Sequence, residues 1–277
     1  MAMTLMTNTA SLSGQRHLNK NTTAMNKTLQ QLSSGFRINS AMDDAAGLGV
    51  SERMRSQIRG LGQAERNAND GLSVVQTAEG AMQEVSDILI RLRELSVQSA
   101  SDSITDTERA YLDTEFQDMV LEIDRIAAST RFNGMTLLDG TSGALDFQVG
   151  HENGANFRIQ ITVGDTTTGG GLGFGGAEAV DSKANAQSVM GTLDAALDIL
   201  NTNRANLGAK GNRLQVAASA VALQRENLSA ANSRIRDVDV ARATSDMSRN
   251  QVLIQAGTSM LAQANAQPQQ ALSLLQG

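Results

Sequence analysis

The sequence has no cysteine, no tryptophan, one tyrosine and a single proline, Pro268. The absence of cysteine excludes disulfides and thiolate metal sites. Because an interior proline costs a helix about 3 kcal/mol, its absence before residue 268 permits long uninterrupted helices. Residues 1–30 lack a continuous apolar run, and no window of about eighteen residues is free of polar side chains. A cleaved secretory signal and a transmembrane helix are therefore not expected.

The charge balance narrows the classes of partner. The net charge is −6 and the pI is near 5.0, whereas nucleic-acid binding draws its affinity from clustered lysine and arginine. The basic residues are scattered among acidic ones, as on a solvated helical face. The acidic balance and the lack of a lysine-rich polar face also disfavour an amphipathic protein that lies on a membrane surface.

The strongest pattern is a heptad repeat. An apolar residue at every seventh position keeps one seam of a helix facing a partner helix. The seam consists of Leu193, Leu200, Leu207, Leu214, Val221, Leu228 and Ile235. Between Met54 and Leu95 apolar residues recur at intervals of three and four, with a mean of about 3.4, which is typical of a left-handed supercoil. This segment is the predicted partner of the seam.

Shorter helical patterns flank these two. Residues 1–32 and 240–261 carry helical apolar stripes, and a loop with an N-cap at 101–106 precedes a third stripe that ends at Ile126. Before the long helix, Asp43 or Asp44 can cap the helix start, and a cation site is the less simple alternative.

Residues 130–182 lose the helical period. Apolar and polar residues alternate over 145–149 and again over 157–163, with turn residues between them, which predicts a β-hairpin. The glycine-rich stretch 166–176 predicts a loop or a flexible linker.

One segment allows an enzymatic alternative. Residues 171–176 fit the Gly-x-Gly-x-x-Gly spacing of a dinucleotide loop, but no βαβ unit surrounds them and no helix opens directly after them. The only histidines, His17 and His151, are far apart in unlike elements, which argues against a metal or acid–base site. Methionines at helical spacing indicate core packing. A nucleotide-dependent enzyme is therefore the weaker reading, and no cofactor is expected.

The predicted fold class is mainly α: a long antiparallel helical coiled-coil bundle built from both chain ends, with a small central β-hairpin region. The expected bundle domain comprises residues 44–129 plus 183–235, and the hairpin and glycine-rich loop at 130–182 belong to it. Residues 1–43 plus 236–277 form the terminal helices.

The terminal helices have little to bury. Residues 240–277 contain ten large apolar residues, whose burial gives roughly 15–30 kcal/mol, whereas ordering the backbone costs roughly 40–75 kcal/mol. We therefore expect both ends to be largely disordered in the monomer and to fold on assembly with copies of themselves.

Several segments resemble bacterial flagellin. The run Leu32-Ser-Ser-Gly-Phe-Arg-Ile-Asn-Ser-Ala-Met-Asp-Asp-Ala-Ala-Gly-Leu-Gly-Val is similar to its N-terminal signature, and Thr7-Asn8 with Ser11-Leu12 fits its start. Other matching segments follow in the family's order: Arg91-Leu-Arg-Glu-Leu-Ser-Val-Gln-Ser-Ala, Glu122-Ile-Asp-Arg, Phe132-Asn-Gly, Ala262-Gln-Ala-Asn, Pro268 and Leu272-Ser-Leu-Leu. The short central region indicates a form without the outer variable domains.

The resemblance implies a structural subunit of the extracellular flagellar filament, used for swimming motility. It implies export in an unfolded state without a cleaved signal, and partners that include copies of itself, an export chaperone, the cap and hook-junction proteins. A hook–filament junction protein is the alternative within the same machinery. No enzymatic activity, nucleic-acid partner or membrane insertion is implied.

The resemblance also assigns residues. The predicted inner-tube contacts are Leu5, Leu12, Met247, Ile254 and Leu261, and Ile159 in the hairpin is the candidate for the filament's shape switch. Matching the family's motif implies a contact of Arg91, Leu95 and Glu115 with the flagellin-sensing Toll-like receptor of animal hosts. From the pattern alone, Leu95 is bundle core, and Arg91 and Glu115 lie on a solvated face.

Overall fold

The computed structural model describes residues 7–175 and 178–275, and for 267–275 the backbone only. Most of this part is helical: α1 (Thr9–Ser34), α2 (Ala45–Ser99), α3 (Asp106–Ser129), α4 (Lys183–Arg236) and α5 (Val240–Leu275). Short strands lie between α3 and α4: β1 (Arg131–Phe132), β2 (Met135–Thr136), β3 (Ala144–Gln148) and β4 (Arg158–Thr162). The mainly α fold class is confirmed.

The chain forms two compact units. The terminal unit comprises residues 1–56 and 227–277, and the bundle unit comprises residues 57–226. The long helices α2 and α4 contribute residues to both.

In the bundle unit α2 and α4 pack side by side in opposite directions. Three polar contacts across the pair give the register: Arg93 Nε to Asp194 Oδ1 at 2.6 Å, Arg204 Nη2 to Gln83 Oε1 at 2.7 Å, and Arg225 Nη1 to Glu65 Oε2 at 2.8 Å. Residue numbers rise along α2 as they fall along α4, so the predicted antiparallel bundle is confirmed.

Glycine allows the two helices to approach closely. A Cβ added at Gly211 of α4 would lie 3.3 Å from Val75 Cγ1, and one added at Gly71 of α2 would lie 3.1 Å from Leu214 Cδ1. Both distances are tighter than ordinary side-chain contacts. Larger residues at these positions would push the helices apart.

The third helix, α3, folds back onto α2. A capping box starts α3, in which the Thr105 hydroxyl accepts from the Glu108 backbone N–H and the Glu108 carboxylate accepts from the Thr105 backbone N–H. The buried guanidinium of Arg109 closes the turn by donating to the carbonyls of Ser99 at 2.9 Å and Ser101 at 2.8 Å. The cap at 101–106 was predictable, whereas the bonds of Arg109 depend on the tertiary turn.

The predicted β-hairpin is present. Strands β3 and β4 pair antiparallel, with Leu145 opposite Ile161 and Phe147 opposite Ile159. Strands β1 and β2 form a second hairpin, which was not predicted from the sequence. Its turn residues Asn133 and Gly134 have φ of 49° and 83°, and an Asn-Gly dipeptide with both φ positive is a tight hairpin turn. That dipeptide was the available signal.

The glycine-rich stretch is a loop, but the description as a flexible linker is wrong for its described part. Thr166, Thr168 and Phe174 are at most 3% exposed. The Thr168 backbone N–H donates to Asp124 Oδ1 at 2.8 Å, and the Thr166 N–H donates to the Leu138 carbonyl at 2.9 Å. Buried hydroxyls and backbone groups with partners hold a loop in place although its composition is typical of linkers.

Candidate assembly surfaces

In the terminal unit α1 and α5 run antiparallel. Asn8 caps α1 by accepting the Ser11 N–H at its Oδ1, and its Nδ2 donates to the Ala264 carbonyl at 2.9 Å. Farther along α1, Leu18 Cδ1 lies 3.5 Å from where a Cβ of Gly257 would be. These contacts bring the first and last helices together as one antiparallel pair.

The pair leaves large apolar side chains open to solvent. Leu12 is 52% exposed, Val252 63% and Met260 69%. Of the predicted inner-tube residues, Met247, Ile254 and Leu261 are half-buried, and Leu5 lies outside the described residues. A two-helix layer with this much apolar exposure has a surface suited to further packing.

The segment between α1 and α2 pairs with the end of α4. Gly35 has φ of 75° and ends α1 in the left-handed conformation that glycine adopts freely. Its carbonyl accepts the Val238 N–H at 3.0 Å, and the Arg37 N–H donates to the Arg236 carbonyl at 2.6 Å. Backbone pairing therefore ties the segment to the chain just before α5.

Arg236 links this segment to α2. Its guanidinium lies 4.7 Å from the centre of the Phe36 ring, a cation–π contact, and its Nη1 donates to Glu52 Oε1 at 2.5 Å. The hydrogen bond from Arg236 lowers the pKa of the Glu52 carboxyl. Because 184 residues separate Arg236 from Glu52, the sequence pattern gave no signal for this cluster.

The two aspartates before α2 have separate roles. Asp44 Oδ1 accepts the Gly47 N–H at 2.9 Å, which is the predicted capping bond. Asp43 instead pairs with Lys27 Nζ at 2.7 Å and accepts the backbone N–H groups of Asn39 and Ser40. The Lys27 bond, with help from the two N–H groups, lowers the pKa of Asp43 to about 2. With these partners, the geometry favours capping over a cation site.

The heptad seam is buried along most of its length. Leu193, Leu200, Leu207, Leu214 and Val221 are at most 7% exposed, and the four leucines belong to the same core cluster as the buried side chains of α2. The last two seam residues, Leu228 and Ile235, belong to the terminal unit and are half-buried.

The motif-matched receptor residues separate into surface and core. Arg91 of α2 donates from Nη2 to Glu115 Oε1 of α3 at 2.8 Å and from Nη1 to Glu94 Oε2 at 3.1 Å, and all three side chains are 40% exposed or more. The carboxylates of Glu115 and Glu94 raise the pKa of Arg91. Leu95 has no exposed surface and lies in the bundle core, so it cannot be touched directly in this conformation.

Ile159 lies where the hairpin meets the bundle. It is 6% exposed and pairs with Phe147 across the hairpin. Phe147 in turn packs on α2, because a Cβ added at Gly71 would lie 3.0 Å from Phe147 Cδ1. The alternation of the strand places Ile159 inward and its neighbour Gln160 outward. The hairpin is thus seated on α2 by apolar contacts.

Two kinds of feature are absent from the part of the chain that the structure describes. No helix there is long and apolar enough to span a membrane. Across residues 7–175 and 178–275, no three His, Cys, Asp or Glu side chains come together as metal ligands could.

Two family models match most of the chain. The bacterial flagellin N-terminal helical region matches residues 5–143, and the bacterial flagellin C-terminal helical region matches residues 190–275. This chain belongs to the bacterial flagellin family. Membership confirms the resemblance drawn from the motifs, and it makes the chain a structural subunit of the flagellar filament and not an enzyme.

Comparison with individual proteins also identifies flagellins as relatives of this chain. The chain is 44% identical to the flagellar filament 33 kDa core protein of Treponema phagedenis and 44% identical to a flagellin of Halalkalibacterium halodurans, in each case over 97% of this chain and 98% of the relative. The crystal structure of Bacillus cereus flagellin is 31% identical with a TM-score of 0.51, over 60% of this chain and 94% of that one. Flagellins self-assemble into the extracellular filament, and these matches do not favour the hook–filament junction alternative.

Proposed function

We propose that the terminal helices of this chain, residues 1–43 and 236–277, form the inner tube of the filament, and that residues 44–129 with 183–235 form its outer wall. The exposed apolar side chains of α1 and α5, among them Leu12, Val252 and Met260, carry the proposal. Copies arranged around a common axis can bury these side chains against one another, which an isolated helix pair cannot do.

The same shortage of apolar burial supports an export step. Terminal helices that are disordered in the monomer would let the chain pass through a narrow channel unfolded, without a cleaved signal, and an export chaperone would cover them before assembly. The cap and the hook-junction proteins would then order the first copies at the filament tip.

Purified protein seeded with filament fragments should grow into long filaments in electron micrographs, because identical copies complete each other's surfaces. Limited proteolysis should cleave residues 1–43 and 236–277 in the monomer and spare them in the filament, because the ends order only on assembly. Both measurements use the full chain.

A monomer that resists cleavage at both ends would contradict the disorder of the termini. Protein that stays monomeric with seeds would contradict the filament role, and growth of only short oligomers would favour the junction protein instead.

Receptor recognition is a second proposal, carried by the exposed Arg91–Glu115 pair at 2.8 Å. The pair places a guanidinium beside carboxylates on one surface of α2 and α3. Leu95 would contribute by supporting α2 from the core.

Replacing Arg91 by alanine should reduce receptor signalling by the monomer at least about tenfold, since losing a charged interface contact typically costs about 2 kcal/mol or more. The measurement is a dose–response curve in cells that carry the receptor. Arg93→Ala is the matched control, because Arg93 is 47% exposed and pairs with Asp194 instead. Equal responses of the wild type and Arg91→Ala would remove the proposal.

A further inference from the structure

Large apolar side chains are open to solvent on one face of each of two helices in the bundle unit. On α3, Leu121 is 66% exposed, and on α4, Val216 is 69% and Leu223 60% exposed. These side chains are not part of the core, which takes Phe116 from α3 and Leu214 from α4. Several large apolar side chains exposed on helix faces indicate an interaction surface.

The two helices carry opposite net charge. Helix α3 contains seven acidic residues and two arginines. Helix α4 between Ile199 and Arg225 contains four cations and no acidic residue. Asp118 on α3 and Arg213 on α4 are both exposed, beside Leu121 and Val216 respectively. Such complementarity favours contact between the two surfaces and specifies their register.

The spacing of the exposed residues also matches. Asp118, Leu121 and Ala128 follow one another on α3 at intervals of three and seven. On α4, Arg213, Val216 and Leu223 follow at the same intervals. With a rise of about 1.5 Å per residue, each set spans about 15 Å along one side of its helix.

The direction of the helices fits contact between copies. Helix α3 turns back after Ser101 so that Glu115 pairs with Arg91, and the three ordered contacts described above set α4 antiparallel to α2. Both helices therefore run antiparallel to α2. They therefore run in the same direction within the bundle unit. Copies related by rotation about a common axis and translation along it keep one polarity, so α3 of one copy and α4 of the next can lie parallel.

We propose that α3 of one copy docks on α4 of a second copy, with Asp118 against Arg213, Leu121 against Val216 and Ala128 against Leu223. This inference rests on the proposed filament function and specifies one contact within it. The contact is heterologous: each copy offers its α3 face to one neighbour and its α4 face to another, so the contact repeats without closing on a pair.

A charge exchange tests the contact through the critical concentration for seeded polymerisation at low ionic strength. Asp118→Arg and Arg213→Asp should each raise it about fivefold, because each leaves two like charges opposed. The double variant restores an opposite pair and should return it to within about twofold of the wild type. Added salt should shrink the single-variant effects.

Controls separate this contact from general charge and folding effects. Glu84→Arg changes the net charge as Asp118→Arg does, at an exposed position of α2 outside both faces, and should leave the critical concentration unchanged. Val216→Gln tests the apolar part: it should also raise the critical concentration about fivefold while leaving thermal unfolding of the monomer unchanged.

Single variants that polymerise like the wild type, or a double variant no better than either single one, would overturn the contact and leave the filament function standing. Failure of the wild type to polymerise would overturn the filament function itself, and with it this contact.

Discussion

Replacing Phe116 by alanine should lower the free energy of unfolding of the bundle unit by about 3–5 kcal/mol. Phe116 has no exposed surface and lies in the core cluster with side chains of α2 and α4. Truncation removes the transfer free energy of a phenyl ring and leaves a cavity, because long helices in a bundle cannot collapse around it. Urea titration of the monomer, followed by circular dichroism, measures the change.

The matched control lies on the same helix. Leu121 is 66% exposed, so Leu121→Ala should change the free energy of unfolding by no more than about 0.5 kcal/mol. If α3 meets α4 of a neighbour, the same variant should still impair polymerisation. Equal destabilisation by both variants would mean that α3 is not packed through Phe116 in solution.

Replacing Ile159 by aspartate should change the helical shape of the filament. Ile159 is 6% exposed, and burying an unpaired carboxylate costs several kcal/mol, so the β3–β4 hairpin should detach from α2. If the hairpin supplies the bistable contact between filament forms, its detachment should leave only one form. Electron micrographs of filaments grown at several pH values and salt concentrations would measure pitch and hand.

Gln160→Asp serves as the control, because Gln160 lies on the outward face of the same strand. It adds the same charge without burying it, so the filament should keep the wild-type shapes. Filaments of Ile159→Asp that also keep every wild-type shape would show that the switch lies elsewhere.

Local periodicity explains why the helices could be predicted. The seam from Leu193 to Ile235 and the stripe from Met54 to Leu95 repeat often enough to specify helices with one apolar side each, and both helices are present. Thr105 and Asp44 cap their helices through bonds that reach only three residues along the chain. Interactions of that range involve residues close together in the sequence, so they can be predicted without knowing the fold.

Composition gave a wrong prediction for the glycine-rich stretch, whose structure depends on hydrogen bonds to residues far away in the sequence. The stretch around Thr168 has the glycine content of a linker, yet Asp124, 44 residues away, accepts its N–H and hydroxyl. The β1–β2 hairpin was missed because two-residue strands are too short to show alternation, although Asn133-Gly134 carried the turn signal.

Surface residues, too, were predicted partly from motifs and partly only from the fold. Motifs placed Arg91, Leu95 and Glu115 together as a family feature, and the bonds of Arg91 to Glu115 show that two of them share a surface. The apolar pattern already predicts that Leu95 lies in the bundle core, and its complete burial agrees with that prediction. The contact that we propose between Asp118 and Arg213 of a second copy likewise depends on which side chains of α3 and α4 are exposed, and that exposure follows only from the fold.

By itself, the sequence determined the long helices, their caps, the central hairpin and the family, because each rests on periods or motifs between neighbouring residues. Tertiary structure alone decided how Arg236 joins Phe36 to Glu52, how the glycine-rich loop is held, and which apolar side chains of α1, α3, α4 and α5 remain open for other copies. Those features depend on distances between residues far apart in the chain, and such distances exist only once the chain is folded.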